Sequence, residues 1–144
     1  MAGYSGTPLP KKLGIKEGAR VGLSRPPDGF AATLGDLPDG VTARPVGRGT
    51  GKLDVIVCFA RTVKELAADL AVLPARLDPA GGLWIAWPKK SSGVATDLTE
   101  AEVRGRGLAT GLVDNKVCAI DDTWSGLRLV VRVADRDRAQ PTKK

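Results

Sequence analysis

Residues 53–59, Leu-Asp-Val-Ile-Val-Cys-Phe, constrain this chain more than any other stretch. They form a nearly continuous apolar run rich in β-branched side chains, with no polar alternation. That is the pattern of a strand covered on both faces, as in parallel sheets sandwiched between helices. The helix that follows is equally legible. Thr62 and Glu65 form a capping box, in which the two side chains reciprocally satisfy amide donors of the first turn. Val63, Leu66, Leu70 and Leu73 then recur at spacings of three and four and draw one apolar stripe. Pro74 disturbs the last turn, the Asp-Pro-Ala-Gly-Gly stretch 78–82 ends it, and a strand follows at 83–87.

The flanking segments extend the alternation. A first strand spans 19–23, with Val21 and Leu23 on one face, and a short helix is expected from an Asp28 N-cap to about Leu34. Residues 41–46 read as a strand that Pro45 restricts to a sheet edge. The connection from there to residue 53 is far shorter than the dozen or more residues a parallel crossover needs. This strand is therefore expected to be antiparallel, or not a strand. The stretch Gly47-x-Gly49-x-Gly51-Lys52 resembles a phosphate loop only superficially, because it precedes a strand and opens no helix. A second helix starts near Thr99, with Glu102 completing a capping box. Gly105 and Gly107 cost it about 1 kcal/mol each and keep it short. Segments 112–120 and 127–133, joined by a short polar turn, form an antiparallel pair. Strands alternating with helices imply right-handed parallel crossovers and an α/β sheet.

The length of 144 residues suits one domain. Residues 1–17 form a Gly/Pro/Lys-rich lead-in that Leu9, Leu13 and Ile15 pin to the body; 18–134 form a single α/β domain, and 135–144 a flexible polar tail. The balance of 42% hydrophobic and 26% charged residues is globular. No apolar run approaches the ~20 residues that span a bilayer, and the first residues lack the apolar core of a secretory signal. A soluble, cytoplasmic protein without membrane partners is the expectation. Cys58 and Cys118 both sit in apolar runs and read as reduced core residues. Without histidine, Ser-His-Asp and Cys-His designs and the usual neutral-pH base are absent, which points away from catalysis. No metal site is expected either.

The order of parts from 53 to 133 now matters. A buried strand holding Asp54, an amphipathic helix, Leu-Asp-Pro-Ala-Gly-Gly at 77–82, a further strand and a closing hairpin together resemble the second half of class I S-adenosylmethionine-dependent methyltransferases. The resemblance implies a reduced Rossmann-like α/β fold, a mostly parallel sheet of about five to six strands with a C-terminal antiparallel hairpin. It also implies S-adenosylmethionine as cofactor. Two departures argue against that cofactor. The family's glycine-rich turn after the first strand is replaced by Ser-Arg-Pro-Pro-Asp-Gly at 24–29, whose prolines remove amide donors. The acidic residue expected after the second strand is replaced by Gly47-Arg48-Gly49. No cofactor is therefore expected. The strings at 1–15, 87–91, 96–100, 111–114 and 121–127 also resemble a small bacterial family known only as a domain of unknown function.

Ligands of open α/β sheets sit beyond the carboxyl ends of the parallel strands. Those positions hold Ser24, Arg25 and Asp28, then Arg61 and Thr62, then Trp87, Lys89, Lys90, Ser91 and Ser92, with Asp121, Asp122 and Trp124 joining if the 112–120 strand is parallel. Four cations and a helix N-terminus at Thr62 would suit a phosphate or carboxylate. Trp87 and Trp124 would supply a flat wall worth about 1–3 kcal/mol per stacked ring. The net charge of +6 favours anionic partners generally. With 4% aromatic residues and no recognised motif, nucleic acid is the weaker choice. The leading expectation is a non-catalytic binding or regulatory module that takes an anionic small molecule or protein partner on this rim. The alternatives are a minimal methyltransferase or other small enzyme, with Asp121 or Asp122 as its polar catalytic group, and a homo-oligomeric interaction subunit joined through an exposed edge.

Overall fold

The computed structural model describes residues 7–47 and 49–139. Helix α1 (Leu9–Lys12) precedes strand β1 (Val21–Ser24), helix α2 (Phe30–Leu34), β2 (Ala43–Pro45), β3 (Leu53–Phe59) and α3 (Val63–Leu70). After a 3₁₀ turn (Leu73–Arg76) come β4 (Leu77–Pro88), a second 3₁₀ turn (Lys90–Ser92), α4 (Glu100–Leu108), β5 (Val113–Ala119), β6 (Trp124–Val130) and α5 (Val133–Ala139). The strands form one six-stranded sheet in the order β2-β1-β3-β4-β6-β5. β1 to β4 are mutually parallel, and β6 runs antiparallel to both β4 and β5. The α/β fold and the closing hairpin are thus as expected.

β3 separates two cores. Ile56 and Cys58 face α3 and α4 together with Leu83, Ile85 and Trp87 of β4. Val55, Val57 and Phe59 face the opposite side, with Trp84 and Ala86, under α1 and α2. The lead-in is anchored there: Leu13 and Ile15 are buried, and the Trp84 indole donates to the Leu13 carbonyl at 3.0 Å. Residues 1–6 lie outside the described residues. Among the described residues no helix is long and apolar enough to cross a membrane. Cys58 is a buried free thiol, as expected, and Cys118 is half-buried.

The expectation for residues 41–46 needs correction. β2 is a genuine strand, parallel to β1 in the register Val21↔Ala43 to Leu23↔Pro45, and it lies at the sheet edge as Pro45 requires. The crossover is short because β2 rises only about 10 Å over its three residues. Seven residues, 46–52, can span at most about 23 Å, enough to return across one strand. They cross the face of β1 at Gly22, where a Cβ would lie 2.7 Å from Leu53 Cδ1 and 2.9 Å from Val46 Cγ2. Arg76 fastens the linker, donating to the carbonyls of Gly51 (2.6 Å), Gly47 (3.2 Å) and Val46 (3.4 Å). The glycine-rich stretch is therefore a tethered crossover.

Two boundaries also shift. Asp28 does not cap α2; Gly29, with φ at 83°, takes that place without a side-chain bond, and the burial of Phe30 edge-on against Phe59 (4.8 Å) locates the helix. The turn at 78–82 lies inside β4, where register slips from Leu53↔Leu77 to Val55↔Gly82. α3 and α4 begin as read, with Thr62 accepting from the Glu65 amide at 3.0 Å and Thr99 from the Glu102 amide at 3.1 Å. Part of the polar C-terminal segment is helical, as α5.

Replacing Gly22 by valine forces the crossover off the sheet. A loss of about 1–3 kcal/mol is expected, seen in urea unfolding as a lower midpoint at constant m value.

Candidate functional site

β1 leads into α2 on one face of the sheet and β3 leads into α3 on the other, so the carboxyl ends of these two neighbours form a topological switch point, where open α/β sheets bind ligands. The loop from β1 is unusual. Arg25 adopts a left-handed φ of 53°, a conformation that costs a non-glycine residue about 1–2 kcal/mol. That turn directs its guanidinium across the end of β3 onto α3. There it donates to the Asp69 carboxylate, lies 3.9 Å from Glu65 and approaches the Phe59 carbonyl at 3.4 Å. Burial works against the Arg25 charge, but the hydrogen bond and negative charge of Asp69 outweigh it and hold the guanidinium above its usual pKa. The Cys58 thiol donates to the same carboxylate at 2.8 Å. Burial pushes this thiol well up, and the neighbouring Asp69 charge adds to the effect, so Cys58 stays a neutral donor.

The N-terminus of α3 is filled by the chain's own groups. Glu65 accepts from the Arg61 amide at 2.9 Å, Thr62 accepts from the Glu65 amide, and Asp97 accepts from the Val63 amide at 2.8 Å. Thr96 donates to the Arg61 carbonyl at 2.6 Å and so holds this loop in place. An anion at Thr62, expected from sequence, would compete with the carboxylates of Glu65 and Asp97.

The remaining rim residues separate into distinct settings. Arg61 stacks over the Trp124 ring at 5.0 Å, and Trp124 meets Phe59 edge-on at 5.0 Å. Trp124 is buried on the α1/α2 side and Trp87 on the α3/α4 side. The two tryptophans cannot share a wall, because successive residues point to opposite faces of the sheet. Asp121 accepts from the amides of Thr123 and Trp124, both at 2.8 Å, which makes it the staple of the β5–β6 turn; Asp122 is exposed beside it. Lys89 and Lys90 line a cavity of about 390 Å³ at the end of β4, with Trp87, Thr99 and Ser125. Ser91 is exposed in the adjoining 3₁₀ turn. The four cations thus share the carboxyl edge, yet Arg25 and Arg61 are engaged internally, while Lys89 and Lys90 make no ion pair among the described residues.

Sequence reasoning missed Asp69, Glu65 as an ion partner, and Asp97. Asp69 carried a signal: it lies between Leu66, Leu70 and Leu73 on the apolar stripe of α3, and an acid on a buried stripe needs a partner.

No family model matches the chain, and no curated protein matches it. Solved structures do. A SAM-dependent methyltransferase from Aquifex aeolicus superposes with a TM-score of 0.61 at 16% identity, covering 85% of this chain and 87% of that one. The DhpI–SAH complex gives 0.60 at 12% identity over 88% and 83%. Aeropyrum pernix fibrillarin with natively bound S-adenosyl-L-methionine gives 0.55 at 15% identity over 89% and 70%. This chain spans 56% of the magnesium protoporphyrin IX methyltransferase of Synechocystis (TM-score 0.49, 15% identity, 72% of this chain). The chain has the Rossmann-like fold of these proteins. The likenesses overturn the expectation of a non-catalytic module without a cofactor: the fold found in this chain is also that of a SAM-dependent methyltransferase and of structures that hold S-adenosyl-L-methionine or SAH.

Removing the Asp69 carboxylate by Asp69→Ala strands Arg25 and releases the β1 loop. A loss of about 3 kcal/mol is expected, read from denaturant unfolding. Alkylation at pH 8 is expected to modify half-buried Cys118 in the native protein and Cys58 only after unfolding, as peptide mass mapping would show.

Proposed function

We propose that this chain is an S-adenosylmethionine-dependent methyltransferase domain of compact form, with its cofactor crevice between the 24–29 loop and the end of β3. The observation that supports this most is the sheet itself: the order β2-β1-β3-β4-β6-β5 with β6 alone reversed, superposing on 87% of the Aquifex aeolicus methyltransferase.

The residues at the crevice suit the cofactor through side chains. S-adenosylmethionine carries an ammonium, a sulfonium and ribose hydroxyls. Asp28 offers an exposed carboxylate with no ion pair among the described residues, and Ser24 a half-buried hydroxyl. The amides of Asp28 and Gly29 stand ahead of α2 without a backbone partner among the described residues. Pro26 and Pro27 withdraw the donors that a glycine-rich turn would present, so a backbone cradle is replaced by polar side chains on a loop that Arg25 fastens to α3. The bound cofactor supplies a methyl group on a sulfonium, an electrophile that needs no activation by the protein. What the chain must provide is alignment and exclusion of water, so the absence of histidine is no obstacle.

The Lys89/Lys90 cavity lies at the end of β4, two strands from β1 and so about 10 Å away across the sheet. Two lysines that make no ion pair among the described residues, beside a Glu100 already engaged by Arg104, suit an acceptor that carries an anionic group. A cytoplasmic setting and kinship with the bacterial family resembled by residues 1–15 and 121–127 belong to the same proposal.

Titration calorimetry with S-adenosylmethionine and SAH tests it. Both are expected to bind in the micromolar range, and Asp28→Ala is expected to weaken S-adenosylmethionine about tenfold, ~1.4 kcal/mol. Charge reversal at Lys89 and Lys90 should leave this affinity unchanged. Absence of heat with either compound would remove the proposal.

A further inference from the structure

Arg128 differs from most of the described arginines in being half-buried and without an ion pair. Arg20, Arg25, Arg104, Arg106 and Arg132 each meet a carboxylate, Arg61 rests on an indole, and Arg76 holds three carbonyls. Arg128, half-buried near the end of β6, makes one long hydrogen bond, to Asn115 Oδ1 at 3.4 Å. No ion pair involves it among the described residues. Its surroundings add positive charge. Lys116 sits opposite it in the β5–β6 register, and like charges at such positions repel. Burial, and then the nearby charge of Arg136, hold its pKa below the usual arginine value. A half-buried cation that makes no ion pair among the described residues is a costly arrangement unless something supplies the missing negative charge.

The geometry around it is that of a receptor. The guanidinium occupies the space beside Gly82 that any Cβ there would need, so a side chain at this position would displace it. It forms one wall of a cavity of about 330 Å³ at the amino edge of the sheet, opposite the cofactor crevice, with Lys16 and the Gly81 backbone on the other sides. Lys16 is exposed and also lacks an ion pair among the described residues. Two carboxylates reach the same cavity. Asp54 is already bound by Arg20 through bonds of 2.7, 3.0 and 2.9 Å, and Glu17 is exposed and makes no contact with Arg128 among those resolved.

We propose that Arg128 and Lys16 form a second ligand site, for a small molecule bearing a phosphate or carboxylate group. The fork of Arg128 receives two oxygens of the anion, the geometry that suits such groups best, and Lys16 contributes a point charge from the rim. Glu17 limits the affinity for simple anions. The site is independent of the cofactor crevice and does not rest on the methyltransferase reading.

Thermal unfolding in low-salt buffer with inorganic phosphate or with citrate, against sodium chloride at matched ionic strength, tests it. In the unmodified protein each anion is expected to raise the melting temperature saturably, while chloride does not. Arg128→Gln should abolish the shift, Lys16→Gln should weaken the apparent affinity about tenfold, and Glu17→Gln should strengthen it. Lys16 is exposed, so its variant tests the site even if Arg128→Gln fails to fold. Phosphate or citrate acting alone shows which oxyanion the site prefers, and either supports it. The proposal is overturned if neither anion shifts melting beyond chloride, or if the shift survives in the Lys16 and Arg128 variants. Affinity for S-adenosylmethionine in Lys16→Gln is expected to match the unmodified protein, which separates this outcome from any failure at the crevice.

Discussion

β3 has both faces covered, and the other elements are arranged to cover them. Five consecutive residues of the strand, from Val55 to Phe59, are at most 3% exposed. Apolar burial at about 25 cal/mol per Å² makes such a strand the main source of cohesion in a chain this small, but only if a full layer lies on each side. α3 and α4 form one layer. The other is assembled from short pieces: the lead-in with Leu13 and Ile15, and α2 with Phe30 and Leu34. This explains why a Gly/Pro-rich N-terminal segment is integral to the domain. Trp84 would lose both its cover and the partner of its indole N–H without it.

The fold is also economical in length, and glycine makes this possible through space more than through flexibility. At Gly22 the linker from β2 lies directly on β1, so a seven-residue crossover stands where larger proteins place a helix. At Gly82 a guanidinium takes the room that a side chain would need. Both positions bring backbone and neighbour closer than a Cβ allows, and both have consequences beyond packing: the first closes the parallel sheet, the second makes room for Arg128.

Charge is distributed by the same logic. At the carboxyl edge the cations nearest the switch point are consumed by the structure, Arg25 by Asp69 and Arg61 by Trp124, and they order the loops there. Lys89 and Lys90, farther along the edge, remain uncommitted. The net positive charge is therefore not a uniform property of the surface. Beside β4 at one edge of the sheet, and at Arg128 at the other, cations make no ion pair among the described residues.

Local order was legible in the residues. The buried run of β3, the threonine caps of α3 and α4, the apolar stripe of α3 and the turn of the closing hairpin all depend on neighbours within a few positions, where hydrogen bonding and periodicity leave a direct trace. The parallel course of β2, the opposite orientation of Trp87 and Trp124, the filling of the α3 N-terminus by Asp97 and the capture of Arg25 by Asp69 were decided by the tertiary structure. Each joins residues more than twenty positions apart or depends on which sheet face a strand presents. A one-residue change of register reverses that face. The sequence by itself determined that a doubly covered α/β sheet would form; which charged groups were left free to act was settled only when distant segments met.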